Sequence, residues 1–257
     1  METIGIITAM SQERDAVLHL IKRWERTTLG PFNCSRFRFL DRDCLLVTSG
    51  MGLRRAADAT RVLIEMTHPQ LLVSVGVAGA VNSDLEIGDV VVSRRTCLLD
   101  KGRPGPFQPL TFLSDSAWQA AVQALQPRQV RLLSGTAITT RGSQFVQDQP
   151  KELVNPILEM ETAGIAQAAA GYGIPLLSLR GVSDGPRAPI PFDLEAAMDE
   201  EYNLRMGKII RTILGHPKII PQLVQMSRNA TKAASNAAIT LIAALSQPEP
   251  VIPGRLS

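Results

Sequence analysis

The stretch LLVSVGVAG, residues 71–79, is an uninterrupted apolar run with the length of one β-strand. Strands that are apolar at every position, and not only at alternate ones, are typical of sheets covered on both faces. Comparable runs occur at 3–9, 44–50, 88–93, 130–138 and 174–183. Helical patterns lie between them at 11–24, 54–67, 115–125 and 161–172. This alternation predicts an α/β fold with a largely parallel or mixed sheet.

Two segments depart from the alternation. FNCSRFRFLDRDCLLV, residues 32–47, predicts a hairpin that turns at residues 41–43 and adds an antiparallel part to the sheet. KGRPGPFQPL, residues 101–110, is dense in glycine and proline, which predicts a loop at the rim of an active site.

After the sixth predicted strand, the alternation of strands and helices ends. The proline-rich segment 185–193 leads into a predicted helix at about 193–213 and then a second helical stretch with an apolar stripe. Such a stripe is typical of core packing or of a partner helix, and the basic Lys218, Arg228 and Lys232 leave membrane-surface contact as an alternative. We expect residues 1–200 to form one α/β domain and 201–257 a helical extension of it. The stripe comprises Ile220, Leu223, Ala230, Ala234, Ala237, Leu241 and Leu245.

Composition narrows the functional class. The 257 residues are 45% hydrophobic and 20% charged, and the net charge of +3 is scattered, which argues against a nucleic-acid groove. The three cysteines form no CxxC pair and the three histidines lie far apart, so we expect neither disulfides nor a metal site, and a cytoplasmic location. The amino terminus lacks the features of a secretory signal, and no run reaches the roughly 18 apolar residues of a membrane span.

Two glycine-rich turns are candidate ligand sites. GMGLRRA, residues 50–56, resembles a dinucleotide-binding turn, but the next strand ends without the acid that would bind a ribose. Its amides, with Arg54 or Arg55, could instead face an anion, or the segment is simply a solvated first helical turn. GVAGA, residues 76–80, would let a flat ligand approach the backbone closely, or is a tight turn.

Acidic residues at the ends of strands and the starts of helices are candidate catalytic groups. Glu159 and Glu161 flank Met160, where an acid either interacts with the helix dipole or accepts bonds from two sugar hydroxyls. Asp184 follows Ser183 at the end of an apolar strand, either as a buried general acid or as a cap before Gly-Pro. Glu13 is a candidate general base or a capping residue.

Seven motifs in order, IGIITAMSQE, SGMG, GVAGAV, LEIGDVVVS, SGTAI, EMETAGIA and LRGVSDG, resemble the nucleoside phosphorylase superfamily. The resemblance is strongest to its methylthioadenosine/S-adenosylhomocysteine nucleosidase branch and covers residues 3 to about 193. It implies a three-layer α/β/α fold around a mixed, partly barrel-like sheet, and cleavage of a nucleoside's N-glycosidic bond. It also implies a homodimer or higher homo-oligomer and no cofactor.

The same resemblance assigns roles to residues. Asp184, steadied by Ser183, would protonate the purine, and Glu13 would activate the attacking water. The ribose and the base would lie against the remaining residues of the site. These are Glu159, Met160, Glu161, Met10, Val77, Ala78, Gly79, Ile138, Thr139 and Phe192.

Departures from the family pattern leave alternatives open. Val77 stands where a small hydroxyl residue is usual, and Ile138 replaces an aromatic that stacks on adenine. Phosphorolysis, with inorganic phosphate bound by Arg54 and Arg55, is the alternative to hydrolysis. The long tail is also similar to that of hopanoid-associated phosphorylases, which act on an adenosylated lipid. A nucleoside-binding protein without catalysis is the alternative from another class.

Overall fold

The computed structural model describes residues 2–100, 102–141, 153–187 and 220–252. Within these ranges an 11-stranded mixed sheet lies between two layers of helices. The helices are α1 (Ser11–Leu18), α2 (Leu53–Thr67), α3 (Asp115–Leu125), α4 (Thr162–Tyr172) and α5 (Ile220–Leu245). The strands are β1 (Thr3–Thr8), β2 (Glu25–Leu29), β3 (Phe32–Phe39), β4 (Arg42–Thr48), β5 (Leu71–Ala80), β6 (Val90–Asp100), β7 (Arg103–Pro104), β8 (Gln108–Pro109), β9 (Phe112–Leu113), β10 (Leu132–Thr139), β11 (Pro156–Glu159), β12 (Leu176–Asp184) and β13 (Val251–Ile252). The predicted α/β class with a mixed sheet is confirmed.

Part of the sheet closes on itself. β5 pairs with β12 in parallel and with β11 in antiparallel orientation. On the other side, β12 pairs with β6, β6 pairs with β10, and β10 pairs with β11. These five strands form a closed ring, so the partly barrel-like sheet is confirmed. β1, β4, β3 and β2 extend from β5 as an open sheet.

The two faces of the sheet have separate cores. Ile4 and Ile6 of β1 pack in a cluster with α1, α3 and α5, while Ile7 packs in a second cluster with α2 and α4. Side chains alternate across a strand, so an element covered on both faces must be apolar at consecutive positions. This explains the unbroken apolar runs and confirms the three layers.

Helix α5 packs on the α/β core. Ala234, Ala237, Leu241 and Leu245 of the predicted stripe are all at most 2% exposed. The buried guanidinium of Arg42 donates to the carbonyls of Leu245 (2.6 Å), Gln247 (3.0 Å) and Pro248 (2.7 Å) at the end of the helix. Because the last carbonyls of a helix lack internal partners, this contact fixes α5 to β4. Among the described helices, none is both long and apolar enough to cross a membrane.

Several predicted boundaries were wrong. α1 ends at Leu18 and not at residue 24, and Leu20 and Trp24 beyond it are exposed to solvent, so a longer helix would bury neither of them. The hairpin turns at Leu40–Asp41, with Leu40 at a positive φ of 55°, and not at residues 41–43. The strand predicted at 88–93 continues to Asp100. The predicted helix at 193–213 and the boundary at residue 200 lie outside the described residues.

Candidate active site

The candidate site lies where β1, β5 and β12 end. These three strands are parallel neighbours, so their carboxyl ends meet at one edge of the sheet. Glu13 enters this edge from α1, which follows β1, and Asp184 is the last residue of β12. Ligands of α/β sheets bind outside such carboxyl ends.

Glu13 reaches from helix α1 to strand β5. Its Oε2 accepts the backbone N–H groups of Ala9 (2.8 Å) and Met10 (2.9 Å), and its Oε1 accepts that of Val77 (2.9 Å). A Cβ at Gly76 would lie 2.5 Å from Oε1, so a larger residue there would displace the Glu13 carboxyl group. Burial raises the pKa of Glu13, although the charge of Arg180 and the three N–H groups oppose the increase. Glu13 therefore caps the helix and also brings its carboxyl group to β5.

Glu159 accepts hydrogen bonds from backbone and side-chain groups of three different elements. Its Oε2 accepts from the backbone of Glu161 (3.0 Å) and Thr162 (2.8 Å) and from Arg180 (3.0 Å), and its Oε1 from the hydroxyl of Thr139. Burial opposes ionisation, but the charge of Arg180 and these hydrogen bonds outweigh it and lower the pKa of Glu159. Glu159 thus caps the start of α4, and the geometry gives no support to its predicted contact with a sugar.

Glu161 turns away from helix α4, although it is the N-cap residue. Its Oε1 accepts the backbone N–H of Gly52 (3.0 Å) in the GMG turn, so this amide faces a carboxyl group of the protein itself. Burial, followed by the nearby charge of Glu159, raises the pKa of Glu161 to about 8, with a further increase from Glu13 and an opposing effect of Arg180. Glu161 therefore does not cap α4 with its side chain, but contacts the turn before α2.

Arg180 was not recognised as a site residue from the sequence. It lies in the middle of β12, is 2% exposed, and donates to Glu159 (3.0 Å), Ser74 (2.8 Å) and Thr162 (3.0 Å). It also acts electrostatically on Glu13 and Glu161. A cation inside the otherwise apolar run LLSLRGVS was a signal that could have found it, because a buried charge requires buried partners.

Asp184 faces the glycine-rich end of β5. Its Oδ1 accepts the hydroxyl of Ser183 (2.6 Å), and a Cβ at Gly79 would lie 2.5 Å from its Oδ2. Ser183 also donates weakly to the carbonyl of Ala78 (3.4 Å). Burial raises the pKa of Asp184, and the bond from Ser183 only partly offsets it. The carboxyl group of Asp184 therefore holds its proton more tightly than a solvent-exposed aspartate does.

The other predicted residues divide into four groups. Met10, Val77, Ala78, Gly79 and Met160 lie beside these acids. Ile138 and Thr139 are fully buried: Ile138 packs with Cys97 and Leu99, and Thr139 supports Glu159. Arg54 and Arg55 are exposed in the first turn of α2, and Phe192 lies outside the described residues.

The contacts with β5 separate the two candidate catalytic acids. Glu13 touches the strand at Gly76–Val77 and Asp184 at Gly79. At a strand rise of ~3.3 Å per residue, Gly76 and Gly79 are about 10 Å apart. The two carboxyl groups therefore contact one strand at points three residues apart.

The raised pKa of Glu161 predicts a pH-dependent stability. A carboxyl whose folded pKa is raised favours folding below the unfolded pKa of 4.5, and this contribution is lost as pH rises through about 8. We therefore expect the melting temperature of Glu161→Gln to be close to that of the wild type near pH 4.5. As pH rises to about 8, the melting temperature of the variant should exceed that of the wild type by a growing margin. Thermal melting of both proteins across this range checks it; a constant difference would contradict it.

The sequence is similar to those of a known enzyme family. The model of the phosphorylase superfamily matches residues 3–215. The 5′-methylthioadenosine/S-adenosylhomocysteine nucleosidase of Marinomonas sp. (strain MWYL1) is 29% identical over 217 residues, covering 75% of this chain and 91% of the relative. That of Haemophilus influenzae (strain PittGG) is 28% identical over 228 residues, covering 81% and 99%.

Solved structures share the fold. The same kind of nucleosidase from Colwellia psychrerythraea, in complex with adenine, has a TM-score of 0.69 at 20% identity and covers 98% of both chains. A futalosine hydrolase mutant of Helicobacter pylori has a TM-score of 0.67 at 19% identity, covering 96% of this chain and 99% of its own. Because the family model matches most of its length, the chain belongs to the phosphorylase superfamily.

Proposed function

We propose that this protein cleaves the N-glycosidic bond of a purine nucleoside by hydrolysis. The substrate class that its relatives favour is a 5′-substituted adenosine, such as methylthioadenosine or S-adenosylhomocysteine. The observation that carries the proposal is the placement of Glu13, which is buried, and Asp184, which is half-buried, at two points of β5, each with a raised pKa. No cofactor is needed for this chemistry.

Each acid has one role in the proposed reaction. Asp184 donates its proton to a ring nitrogen of the purine, so the bond to the sugar breaks with its electron pair on a neutral base. Glu161 accepts the ribose hydroxyls, and Met160 packs on the sugar. Glu13 takes a proton from water as that water attacks the cationic sugar carbon. The products are adenine and the free 5-substituted ribose.

The charges of the site favour water over phosphate as nucleophile. Glu13, Glu159 and Glu161 share a single buried cation, Arg180, which is already paired with Glu159. Arg180 is neutralised by Glu159 and therefore offers no net positive charge to a phosphate dianion. Phosphorolysis remains the second candidate, because exposed Arg54 and Arg55 follow the turn whose Gly52 amide faces Glu161.

Adenine release with and without phosphate tests the reaction type. We expect purified protein to release adenine from methylthioadenosine in phosphate-free buffer, with no increase when inorganic phosphate is added. Strict phosphate dependence would overturn hydrolysis in favour of phosphorolysis, and an adenosylated lipid would then be the next substrate to assay. Tight nucleoside binding without turnover would identify a binding protein instead.

The resemblance also supports an assembly and a location. We infer a homodimer in the cytoplasm, with residues 201–257 as an extension of the α/β domain. The packing of α5 on the core supports the last point for the described part of the tail.

A further inference from the structure

The carboxyl end of β12 is held differently from the rest of the strand. β12 pairs with β6 only through Leu179, Arg180 and Gly181. Beyond this point its other neighbour, β5, continues to Gly79, but the register shifts between Val182 and Asp184. The last residues of the strand, which include Asp184, therefore need a second support where β6 is absent.

A turn at residues 86–89 provides that support. The N–H of Gly88 donates to the carbonyl of Val182 (2.8 Å), and the N–H of Val182 donates to the carbonyl of Asp89 (2.8 Å). The turn is closed by Asp89, whose carboxylate accepts the N–H of Glu86 (2.8 Å) and pairs with Arg131. Val182, two residues before the proposed acid, is thus bracketed by this turn.

Two side chains of α5 hold the turn in place. Asn236, fully buried, donates its Nδ2 to the carbonyl of Gly88 (2.8 Å), and Lys232 donates to the carbonyl of Ile87 (3.0 Å). Gly88 has a φ of +102°, a conformation that favours glycine, and a Cβ there would lie 2.6 Å from Cε of Lys232. Both contacts are made to backbone carbonyls, so they fix the path of the turn.

The helix also contacts the strand directly. A Cβ at Gly181 would lie 2.1 Å from the carbonyl oxygen of Ala233, so the backbones of β12 and α5 touch. Ala233 lies between Lys232 and Asn236 in sequence, and these contacts therefore come from one turn of α5. Movement of this turn would shift the strand and the 86–89 turn together.

We propose that Asn236 and Lys232 are positioning residues that act through the 86–89 turn and Val182 to hold Asp184 in place for proton donation. The inference rests on the proposed function, in which Asp184 protonates the leaving base. Misplacement of a reacting group by about 1 Å can cost up to ~10²-fold in rate, so loss of these contacts should affect the protonation step.

Two substrates separate positioning of the acid from general loss of structure. Methylthioadenosine needs a proton on its leaving base, whereas 4-nitrophenyl β-D-ribofuranoside releases a stable phenolate that needs none. We expect Asn236→Ala, and more mildly Lys232→Met, to lower kcat for methylthioadenosine about 10-fold or more with KM unchanged. Turnover of the nitrophenyl riboside should stay at the wild-type level.

Thr240→Val is the matched control. Thr240 is fully buried one turn along α5 and donates only within the helix, to the carbonyl of Asn236 (2.9 Å). It should leave kcat for both substrates unchanged. Equal losses on both substrates in Asn236→Ala, or the same selective loss in Thr240→Val, would overturn the inference.

Amide hydrogen exchange tests the support independently of activity. Exchange at Gly88 and Val182 should become faster in Asn236→Ala and Lys232→Met but not in Thr240→Val. Unchanged exchange at these amides would also overturn the inference. If the wild type cleaves neither substrate, the proposed function fails, and the exchange result still decides whether α5 holds the end of β12.

Discussion

Asp184→Asn is expected to lower kcat for methylthioadenosine cleavage by about 10²–10⁴-fold, the usual contribution of a general acid. Asparagine has nearly the same shape and can still accept the hydroxyl of Ser183, which lies 2.6 Å from Oδ1 in the wild type. It has no carboxyl proton to give to the purine. Steady-state kinetics with adenine release as the signal would measure the loss.

The control for this variant is Ser183→Ala. It removes the hydroxyl that supports the carboxyl group but leaves the acid itself, so a much smaller loss is expected. Thermal melting should show that both variants are folded. Near-wild-type turnover by Asp184→Asn would contradict the assignment of Asp184 as proton donor.

Arg180→Met is expected to cause the largest loss of stability, about 3–5 kcal/mol in the free energy of unfolding. Arg180 and Glu159 are a fully buried pair, 2% and 0% exposed, and removal of the cation leaves the carboxylate uncompensated. The variant should also lose activity, since Glu13 and Glu161 lie in the field of the same guanidinium. Urea denaturation at neutral pH measures the stability.

Two further variants make this prediction specific. Arg36→Met breaks a salt bridge with Asp43 in which the arginine is 57% exposed, and a far smaller effect on unfolding is expected. Adding Glu159→Gln to Arg180→Met should restore part of the lost stability, because it removes the unpaired charge. A loss in Arg180→Met no larger than in Arg36→Met would show that the buried pair is not required for stability.

The fold was largely predictable because its strands are covered on both faces. A strand buried on two sides must be apolar at consecutive positions, which makes β1, β5 and β12 visible in the sequence. β2 was not predicted, since four of its five residues are exposed and polar. β11 was not predicted either, because it has only four residues. It is identified as a strand only through its pairing with β10 and β5, which are not adjacent to it in sequence.

The acids of the candidate site could be predicted from the sequence, but the groups that each acid binds could not. Glu159 and Glu161 look equivalent beside a helix start, and only their partners separate them: Glu159 caps α4 and pairs with Arg180, whereas Glu161 meets Gly52. These partners come from β12 and the turn before α2. Sequence proximity places an acid at a helix start, but tertiary contacts decide what its carboxylate binds.

The closed ring of five strands also orders the folding of the chain. β12 lies between β5 and β6 in the ring, yet it follows both of them in sequence, with β10, β11 and α4 in between. Contacts of such long sequence separation require the closure of large loops and form slowly. Until Leu176–Asp184 has been synthesised, β5 and β6 have exposed strand edges, which favour association with other chains. The strand that carries the proposed proton donor is thus also the one that completes the barrel, and a partly synthesised chain has neither the candidate active site nor a closed sheet.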